Sequence, residues 1–276
     1  DILLYRNPAD SSDANGFFVV INAGNAKRDL ERMNAIAKDF DVTVEDCTQS
    51  LGMIAIQGPK SQDITQQICS GDLASLGYYA WMNTEVCGVP MTLSRTGYTG
   101  EDGFEISIPA GDAAALARKL LAEPEAAPIG LGARDSLRLE AGLCLYGNDL
   151  TPSITPVEAG LRWTISKRRR AEGGYPGAEV ISRQLKEGPA RRRVGLRPSG
   201  RAIARAHSAI TGAGGESLGE VTSGGFGPSV GGPIAMGYVR GGSHTVGQAV
   251  SLSVRSRSLE TAIVKLPFAP HRYFRG

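Results

Sequence analysis

The pattern of hydrophobic and polar positions over the first half of the chain alternates between the spacing typical of helices and the spacing typical of strands. Apolar residues recur at helical spacing in some segments and alternate or run together as in strands in others. The predicted strands are Ile2–Tyr5, Phe17–Asn22, Val42–Val44, Leu51–Gln57, Glu85–Val89, Met91–Ser94 and Phe104–Ile108. The predicted helices are Asn25–Phe40, Pro59–Cys69, Gly111–Ala122 and Leu131–Ala141. Mixing of strands and helices without a long run of either predicts an α+β fold.

The pattern changes after Arg191. Short strand-like segments separated by Gly and Ser then run to the end of the chain, which predicts a small all-β barrel or sandwich. These segments are Val194–Leu196, Glu220–Ser223, Ala235–Val239, Ala249–Val254 and Ala262–Leu266. The polar stretch Ser182–Pro189 is the predicted linker. We therefore divide the chain into an α+β region, residues 1–185, and a C-terminal barrel domain, residues 186–276.

Composition excludes several classes of protein. Of the residues, 41% are hydrophobic and the net charge is only +2, so general disorder and bulk nucleic-acid binding are disfavoured. No uncharged apolar run approaches the ~20 residues that a membrane-spanning helix needs. The cysteines Cys47, Cys69, Cys87 and Cys144 are widely spaced, as expected for free thiols in a reducing compartment. The three histidines are equally scattered, and no metal site is expected.

Three phrases in the sequence carry more information than composition does. The first is GYTGEDGFEI, at residues 97–106, and the second is GLGARDSLRLEAG, at residues 130–142, followed by LYG. The third is TSGGFGPS, at residues 222–229, which leads to AMGYV. Together with Pro156-Val157-Glu158 and Trp163-Thr164, they resemble the aminomethyltransferase (T-protein) family of the glycine cleavage system, and the resemblance runs through the whole chain.

The resemblance implies a fold of two mixed α+β domains and a C-terminal all-β barrel arranged around a central folate pocket. It begins well inside the family's sequence, at Asp1, so we expect that the first α+β domain is incomplete and that an N-terminal portion is missing. It also implies a reaction. The methylene carbon of an aminomethyl group on the lipoyl arm of the H-protein passes to tetrahydrofolate, and ammonia is released.

The implied partners are therefore the lipoylated H-protein and tetrahydrofolate, which is an acceptor substrate, without a metal, a nucleic acid or a membrane. The compartment is the cytoplasm if the source is bacterial and otherwise the mitochondrial matrix. The chemistry makes few demands on the protein, because the aminomethyl carbon is already electrophilic. Either the thiolate or ammonia can leave from it when a folate nitrogen attacks.

The resemblance also suggests which residues bind folate. Glu105 matches the family's pterin-binding glutamate. A carboxylate can accept the neighbouring N–H and amino donors of a pterin edge together, in the bidentate manner that gives geometric specificity. Arg134 matches a folate-binding arginine, whose planar fork suits the pterin or the carboxylated tail. Tyr98, in the glycine-rich turn, either stacks on the ligand or simply packs.

Three further site residues follow from shorter matches. Tyr273 matches a C-terminal folate-contacting tyrosine, and Arg193 matches an arginine near the site. Asp1 aligns with the second carboxylate of an acidic pair in the family and is predicted to be catalytic. A carboxylate near the folate arylamine nitrogen could act as a general base or as electrostatic support.

The sequence is compatible with two other functions. The chain could be the folate-binding half of a dimethylglycine or sarcosine oxidase-type enzyme, which shares this fold, and an upstream flavin domain would distinguish the two. It could also be a non-catalytic folate-binding relative, although the Lys-Gly-Cys-Tyr type of motif of such proteins is absent around Cys144. The basic runs 167–170 and 191–193 could attract a glutamate tail or an acidic carrier. They lack the interleaved aromatic residues expected for nucleic-acid binding.

Overall fold

Strand-forming and helix-forming segments alternate through the first half of the chain and give way to strands in the second. The computed structural model describes residues 2–7, 15–255 and 257–276. Two units form: the described residues of Asp1–Gly97 with Glu101–Pro128 and Tyr273–Gly276, and Tyr98–Gly100 with Ile129–Arg272. The α+β prediction with a C-terminal barrel is confirmed. The boundary that we drew at residues 185 and 186 stays a prediction.

The first unit is built on a four-stranded antiparallel sheet and a separate hairpin. Its strands are β1 (Ile2–Arg6), β2 (Phe17–Ile21), β3 (Leu51–Gln57), β4 (Trp81–Val86), β5 (Val89–Ser94) and β6 (Gly103–Pro109). Its helices are α1 (Ala26–Ala37), α2 (Ser61–Gln66) and α3 (Ala113–Leu121). The sheet order is β3-β6-β5-β4, while β1 pairs with β2 alone. Strand β6 is therefore central, and both of its edges are hydrogen-bonded.

Burial of one face of this sheet explains its sequence pattern. Phe104, Ile106 and Ile108 of β6 are at most 1% exposed, and they pack with Leu93 of β5 and with Leu116 of α3. Since successive side chains on a strand point to opposite faces, Glu105 lies on the other side of the sheet from Phe104 and Ile106. The apolar core thus fixes the direction in which the candidate carboxylate points.

The second unit combines three helices with a closed barrel. The helices are α4 (Leu131–Glu140), α5 (Lys167–Glu172) and α6 (Ala178–Glu187). The strands are β7 (Arg191–Pro198), β8 (Ala209–Thr211), β9 (Ser217–Gly227), β10 (Gly232–Arg240), β11 (Ala249–Val254) and β12 (Arg257–Val264). The barrel order is β10-β7-β12-β11-β8-β9, and closure leaves no exposed sheet edge. Leu196, Ile210 and Leu252 fill its core and are fully buried.

Two predicted strands differ in the structure. The predicted strand Val42–Val44 is irregular, and Val42 is 61% exposed, because β-branched residues form a strand only where a neighbouring strand pairs with them. The predicted strand Glu85–Val89 is interrupted by the turn of the β4–β5 hairpin. Glu85 and Val86 end β4, Val89 begins β5, and Cys87 and Gly88 between them take φ angles of 54° and 75°.

The predicted linker Ser182–Pro189 is largely helical, and its role as the boundary between domains stays a prediction. Most of it belongs to α6, which buries Ile181 and is followed by Gly188 with a φ angle of 86°. The predicted barrel segments omitted β8, which has only three residues and no distinct pattern. No helix within the described ranges is long and apolar enough to cross a membrane. The four cysteines are free thiols.

Candidate functional site

Glu105 is the best-defined carboxylate among the predicted site residues. It lies in the middle of β6, opposite Ala55 of β3 and Ser94 of β5, and it is half-buried. The Thr96 hydroxyl donates to Glu105 Oε2 over 2.6 Å. Thr96 is 3% exposed, so this donor lies in a protected position. A carboxylate held in this way still has acceptor capacity for a pair of donors on a flat heterocycle.

A chain of hydroxyls supports this contact from behind. The Tyr5 hydroxyl donates to Ser94 Oγ over 3.2 Å, and the hydroxyls of Ser94 and Thr96 lie 2.8 Å apart. Burial raises the pKa of Tyr5, which therefore stays protonated and remains a donor through the physiological range. Since Thr96 uses its own proton on Glu105, its oxygen is left to accept from these neighbours. The network orients one carboxylate oxygen without neutralising the other.

The hairpin that carries Tyr5 is attached through its aromatic residues. The centroid of the Tyr5 ring lies 5.9 Å from the ring centroid of Phe18 and 6.0 Å from that of Trp81. Trp81 Nε1 donates to the carbonyl oxygen of Arg6 over 3.1 Å. Offset and edge-to-face aromatic contacts of this kind place the Tyr5 hydroxyl at the sheet surface beside Glu105.

Tyr273 forms an aromatic stack in the first unit. Its ring lies 4.3 Å from that of Tyr78 with 13° between the planes, and Tyr79 packs against Tyr78 at 4.4 Å. Burial raises the pKa values of Tyr78 and Tyr273, so both phenols are neutral at physiological pH. Tyr79 has a φ angle of 63°, which a side-chain-bearing residue rarely adopts. Its backbone N–H donates to the Arg95 carbonyl oxygen and ties this aromatic cluster to the end of β5.

In the second unit, Tyr98 and Arg134 lie together. The guanidinium carbon of Arg134 is 4.8 Å from the centre of the Tyr98 ring, within the range of a cation–π contact. The Tyr98 hydroxyl donates to the Cys144 carbonyl oxygen. Burial raises the pKa of Tyr98 to about 12. Arg134 itself is exposed near the start of α4, so its guanidinium is accessible to an anionic or planar ligand.

The loop after α4 is held by three side chains that donate to successive carbonyl groups. Arg193 donates to the Gly142 oxygen over 2.8 Å, and Arg138 donates to the Leu143 oxygen over 3.3 Å. Tyr98 takes the next carbonyl, that of Cys144. Arg193 also donates from Nε to the Ala159 oxygen over 2.9 Å. Arg193 therefore donates to two backbone carbonyl oxygens. Because one of them belongs to the loop that holds the Cys144 carbonyl, Arg193 also supports the position of Tyr98.

A buried ion pair fixes α4 on the barrel. Arg138 is 2% exposed and donates to Asp149 Oδ2 over 2.8 Å and to Ser223 Oγ over 3.0 Å. Asp149 is fully buried and also accepts from the Leu145 backbone N–H and from the Thr222 hydroxyl. Charges of this kind are stable in an interior only when every partner is present. The second conspicuous phrase of the sequence therefore carries a structural arginine as well as Arg134.

The remaining predicted features have separate positions. Asp1 lies outside the described residues. His207 is an exposed partner of Glu220, and His271 Nε2 is 2.8 Å from the Ala141 oxygen. Across residues 2–7, 15–255 and 257–276, no group of His, Cys, Asp and Glu has the arrangement of a metal site. In the basic run 167–170, Arg168 pairs with Glu172 at the surface, 3.0 Å apart.

Sequence reasoning missed four supporting residues of the first unit: Tyr5, Tyr78, Arg95 and Thr96. Arg95 and Thr96 directly precede the phrase GYTGEDGFEI, and this position was a usable signal. The tandem Tyr78-Tyr79 was another, since paired aromatic residues beside a turn are often exposed to a ligand or a partner. Nothing local in the sequence around Tyr5 distinguishes it from an ordinary strand residue.

Comparison with known families matches nearly the whole chain. The family described as the GCVT N-terminal domain matches residues 9–169, and the glycine cleavage T-protein C-terminal barrel domain matches residues 191–269. The mitochondrial aminomethyltransferase of Mesembryanthemum crystallinum is 46% identical over 265 residues, which cover 94% of this chain and 65% of that protein. The mitochondrial aminomethyltransferase of Gallus gallus is 45% identical over 280 residues, which cover 99% of this chain and 70% of that protein.

A solved structure agrees with these sequence matches. The aminomethyltransferase T of the glycine cleavage system from Bartonella henselae superimposes with a TM-score of 0.86 at 40% identity. The superposition covers 94% of this chain and 70% of that one. The chain thus spans about two thirds of the length of the proteins that it matches, and just under two thirds of the plant relatives.

Proposed function

The chain belongs to the glycine cleavage T-protein family, and on that premise we propose that it acts as an aminomethyltransferase. The reaction moves the methylene carbon from the aminomethyl-lipoyl group of the H-protein to tetrahydrofolate and releases ammonia. The names of the relatives support this function over the folate-binding half of an oxidase and over a non-catalytic folate binder. We propose the mitochondrial matrix as its compartment if the source is eukaryotic, as the plant and chicken relatives are mitochondrial by name, and the cytoplasm if it is bacterial.

The single observation that carries the proposal is the oriented Glu105 carboxylate. Thr96 holds Oε2 at 2.6 Å, and the Tyr5 and Ser94 hydroxyls keep Thr96 in place. A pterin edge presents an N–H and an amino group side by side, and a carboxylate of fixed orientation can accept both. Ordering of the carboxylate before the ligand arrives removes part of the entropy cost of binding.

The other residues have distinct parts in the proposal. Tyr273, stacked on Tyr78, offers an aromatic surface for a flat ligand. Arg134, on the Tyr98 ring, offers a cation for the pterin or the carboxylated tail. Arg193 holds the loop whose Cys144 carbonyl anchors Tyr98.

Asp1 remains our candidate for the catalytic carboxylate that orients the attacking nitrogen or takes up its proton. Asp1→Asn keeps the shape of the side chain and removes its charge. We expect it to lower turnover more than folate binding, because the interaction is strongest in the transition state. A raised Michaelis constant for folate with unchanged turnover would make Asp1 a binding residue instead.

Replacement of Glu105 tests the proposal directly. Glu105→Ala should weaken tetrahydrofolate binding by about 1.5–3 kcal/mol, the range for losing a hydrogen bond to a charged group. Titration calorimetry measures this, and ammonia release from an aminomethylated lipoyl H-protein measures the activity. Glu85→Ala, which removes an exposed carboxylate from β4 of the same sheet, is the matched control and should change neither. Wild-type protein that binds no tetrahydrofolate, or a Glu105 variant with unchanged affinity, contradicts the proposal.

A further inference from the structure

The Arg95 guanidinium has every N–H donor occupied within the first unit. Its Nε and Nη2 donate to the two oxygens of Asp102 over 2.9 and 2.6 Å. The second Nη2 proton goes to Gln62 Oε1 over 2.6 Å, and Nη1 donates to the Leu73 and Leu76 carbonyl oxygens over 2.8 and 2.9 Å. Arginine carries five such donors in one plane, so the plane is saturated. The side chain is 1% exposed, and only its two flat faces are left for other contacts.

Aromatic rings occupy those faces. The Phe274 ring centre lies 3.6 Å from the guanidinium carbon of Arg95, and the Phe104 ring centre lies 5.1 Å from it. Phe104 belongs to the sheet core, whereas Phe274 lies 170 positions further along the sequence. Residues in an irregular segment, such as the one around Phe274, keep a fixed position only where a contact holds them. The stack on Arg95 is such a contact.

Two aromatic side chains of the candidate site are attached to the groups that Arg95 holds. Tyr273 directly precedes Phe274, and Tyr78 follows Leu76 by two residues. The in-plane bonds of the guanidinium fix the segment that leads to Tyr78, while its face fixes Phe274. The rings of Tyr78 and Tyr273 then stack at 4.3 Å. One buried cation therefore determines where two residues from distant parts of the sequence meet.

We propose that Arg95 and Phe274 form a clamp that positions Tyr273 on Tyr78 and so prepares the aromatic surface against which folate binds. The identity of the ligand rests on the proposed function, whereas the clamp itself rests on the contacts above. Arg95 is a positioning residue, because it acts through Phe274 and the Leu76 carbonyl and not on the reacting atoms. Lysine could not replace it, since an ammonium has neither five in-plane donors nor a flat face.

Phe274→Ala is the main test, because it removes the stacked ring and leaves all five hydrogen bonds of Arg95 in place. Trypsin can cleave after Arg272, directly before Tyr273, so mass spectrometry of the full chain reports how firmly the terminal residues are held. We expect cleavage after Arg272 to become about fivefold faster, and the dissociation constant for tetrahydrofolate to rise about fivefold, as the loss of one cation–π contact implies. Turnover at saturating folate should change less than the affinity does.

Two further variants serve as a rescue and a control for Phe274→Ala. Phe274→Trp retains an aromatic face over the guanidinium and should restore both slow cleavage and folate affinity. Phe40→Ala removes a ring that is 64% exposed in the same unit, and it should leave cleavage after Arg272 and folate affinity unchanged. Arg95→Lys is informative only alongside these, because the loss of buried hydrogen bonds can prevent folding.

The outcomes separate the clamp from the proposed function. Unchanged cleavage in Phe274→Ala overturns the clamp. Faster cleavage with unchanged folate affinity, in a protein that does bind folate, overturns its role in positioning. Wild-type protein that binds no tetrahydrofolate refutes the proposed function, and the tryptic cleavage then decides the clamp by itself. Faster cleavage, weaker binding and rescue by Phe274→Trp together support the inference.

Discussion

Removal of the Thr96 hydroxyl should abolish the hydrogen bond that orients the Glu105 carboxylate. Thr96→Val preserves the shape of the side chain but deletes the donor that lies 2.6 Å from Glu105 Oε2. A hydrogen bond to a charged group contributes about 1.5–3 kcal/mol, and Glu105 is half-buried, so water can replace part of the lost donor. We therefore expect a coupling free energy of about 1.5 kcal/mol, at the lower end of that range.

A double-mutant cycle of Thr96→Val and Glu105→Ala measures this coupling, because alanine has no acceptor for the hydroxyl. Urea unfolding followed by tryptophan fluorescence is suitable, because Trp81 lies in the first unit and contacts Tyr5. The chain has two tryptophans, so a Trp163→Phe background leaves Trp81 as the reporter. Analysis of the first unit's own transition avoids treating a two-unit chain as one two-state system.

The control is a second cycle with Thr92→Val. Thr92 lies on the same sheet, but its hydroxyl donates to Asn83 Oδ1 over 3.0 Å and not to Glu105. This cycle should give a coupling within about 0.5 kcal/mol of zero. A Thr96–Glu105 coupling equally small would refute the reasoning, since the carboxylate would then not be oriented by the hydroxyl.

Two further predictions concern the second unit. Asp149→Asn removes the buried carboxylate that pairs with Arg138 and leaves the ion pair with the partly exposed Asp135, so the free energy of unfolding should fall by about 3 kcal/mol in urea titration. Glu172→Gln, which breaks an ion pair whose side chains are both more than half exposed, should cost less than about 1 kcal/mol, and an equal loss in both variants would contradict the argument. Burial raises the pKa of Tyr98 from 10.0 to about 12, so the folded state binds the phenolic proton more tightly than the unfolded chain does. Stability from this group is complete below pH 10.0 and is lost as the pH rises to about 12. Tyr98→Phe should make that part of the profile less steep by the contribution of one phenol, while other buried tyrosines such as Tyr238 keep theirs, and an unchanged slope would argue against it.

The class of the fold and the motif that carries the candidate carboxylate could both be predicted from local sequence. Short strands separated by glycine predicted a small all-β barrel or sandwich, because such segments bury their apolar faces against one another, and the family resemblance implied the barrel. The phrase GYTGEDGFEI placed Glu105 in the strand predicted at Phe104–Ile108, and the structure has it in β6. These features depend on the near neighbours of each residue, which is why local pattern was sufficient.

Local pattern failed where a long-range partner decides the structure. Val42–Val44 has strand-forming residues and is irregular, whereas Ser182–Pro189 has a polar composition and lies largely in α6. In the first segment no neighbouring strand pairs with the strand-forming residues, and in the second the helix is held through its buried Ile181. The turn at Cys87-Gly88 likewise depends on the pairing of β4 with β5.

The supports of the candidate site were decided by tertiary structure alone. Tyr5 bonds Ser94, 89 positions along the chain, and Tyr78 stacks on Tyr273 near the C-terminus. A hydroxyl or a ring has no partner until folding brings distant segments within a few ångströms of each other, so no local periodicity encodes these contacts. The buried guanidinium of Arg95 is the clearest case, because its acceptors and its stacked rings come from separate segments that only the folded first unit brings together.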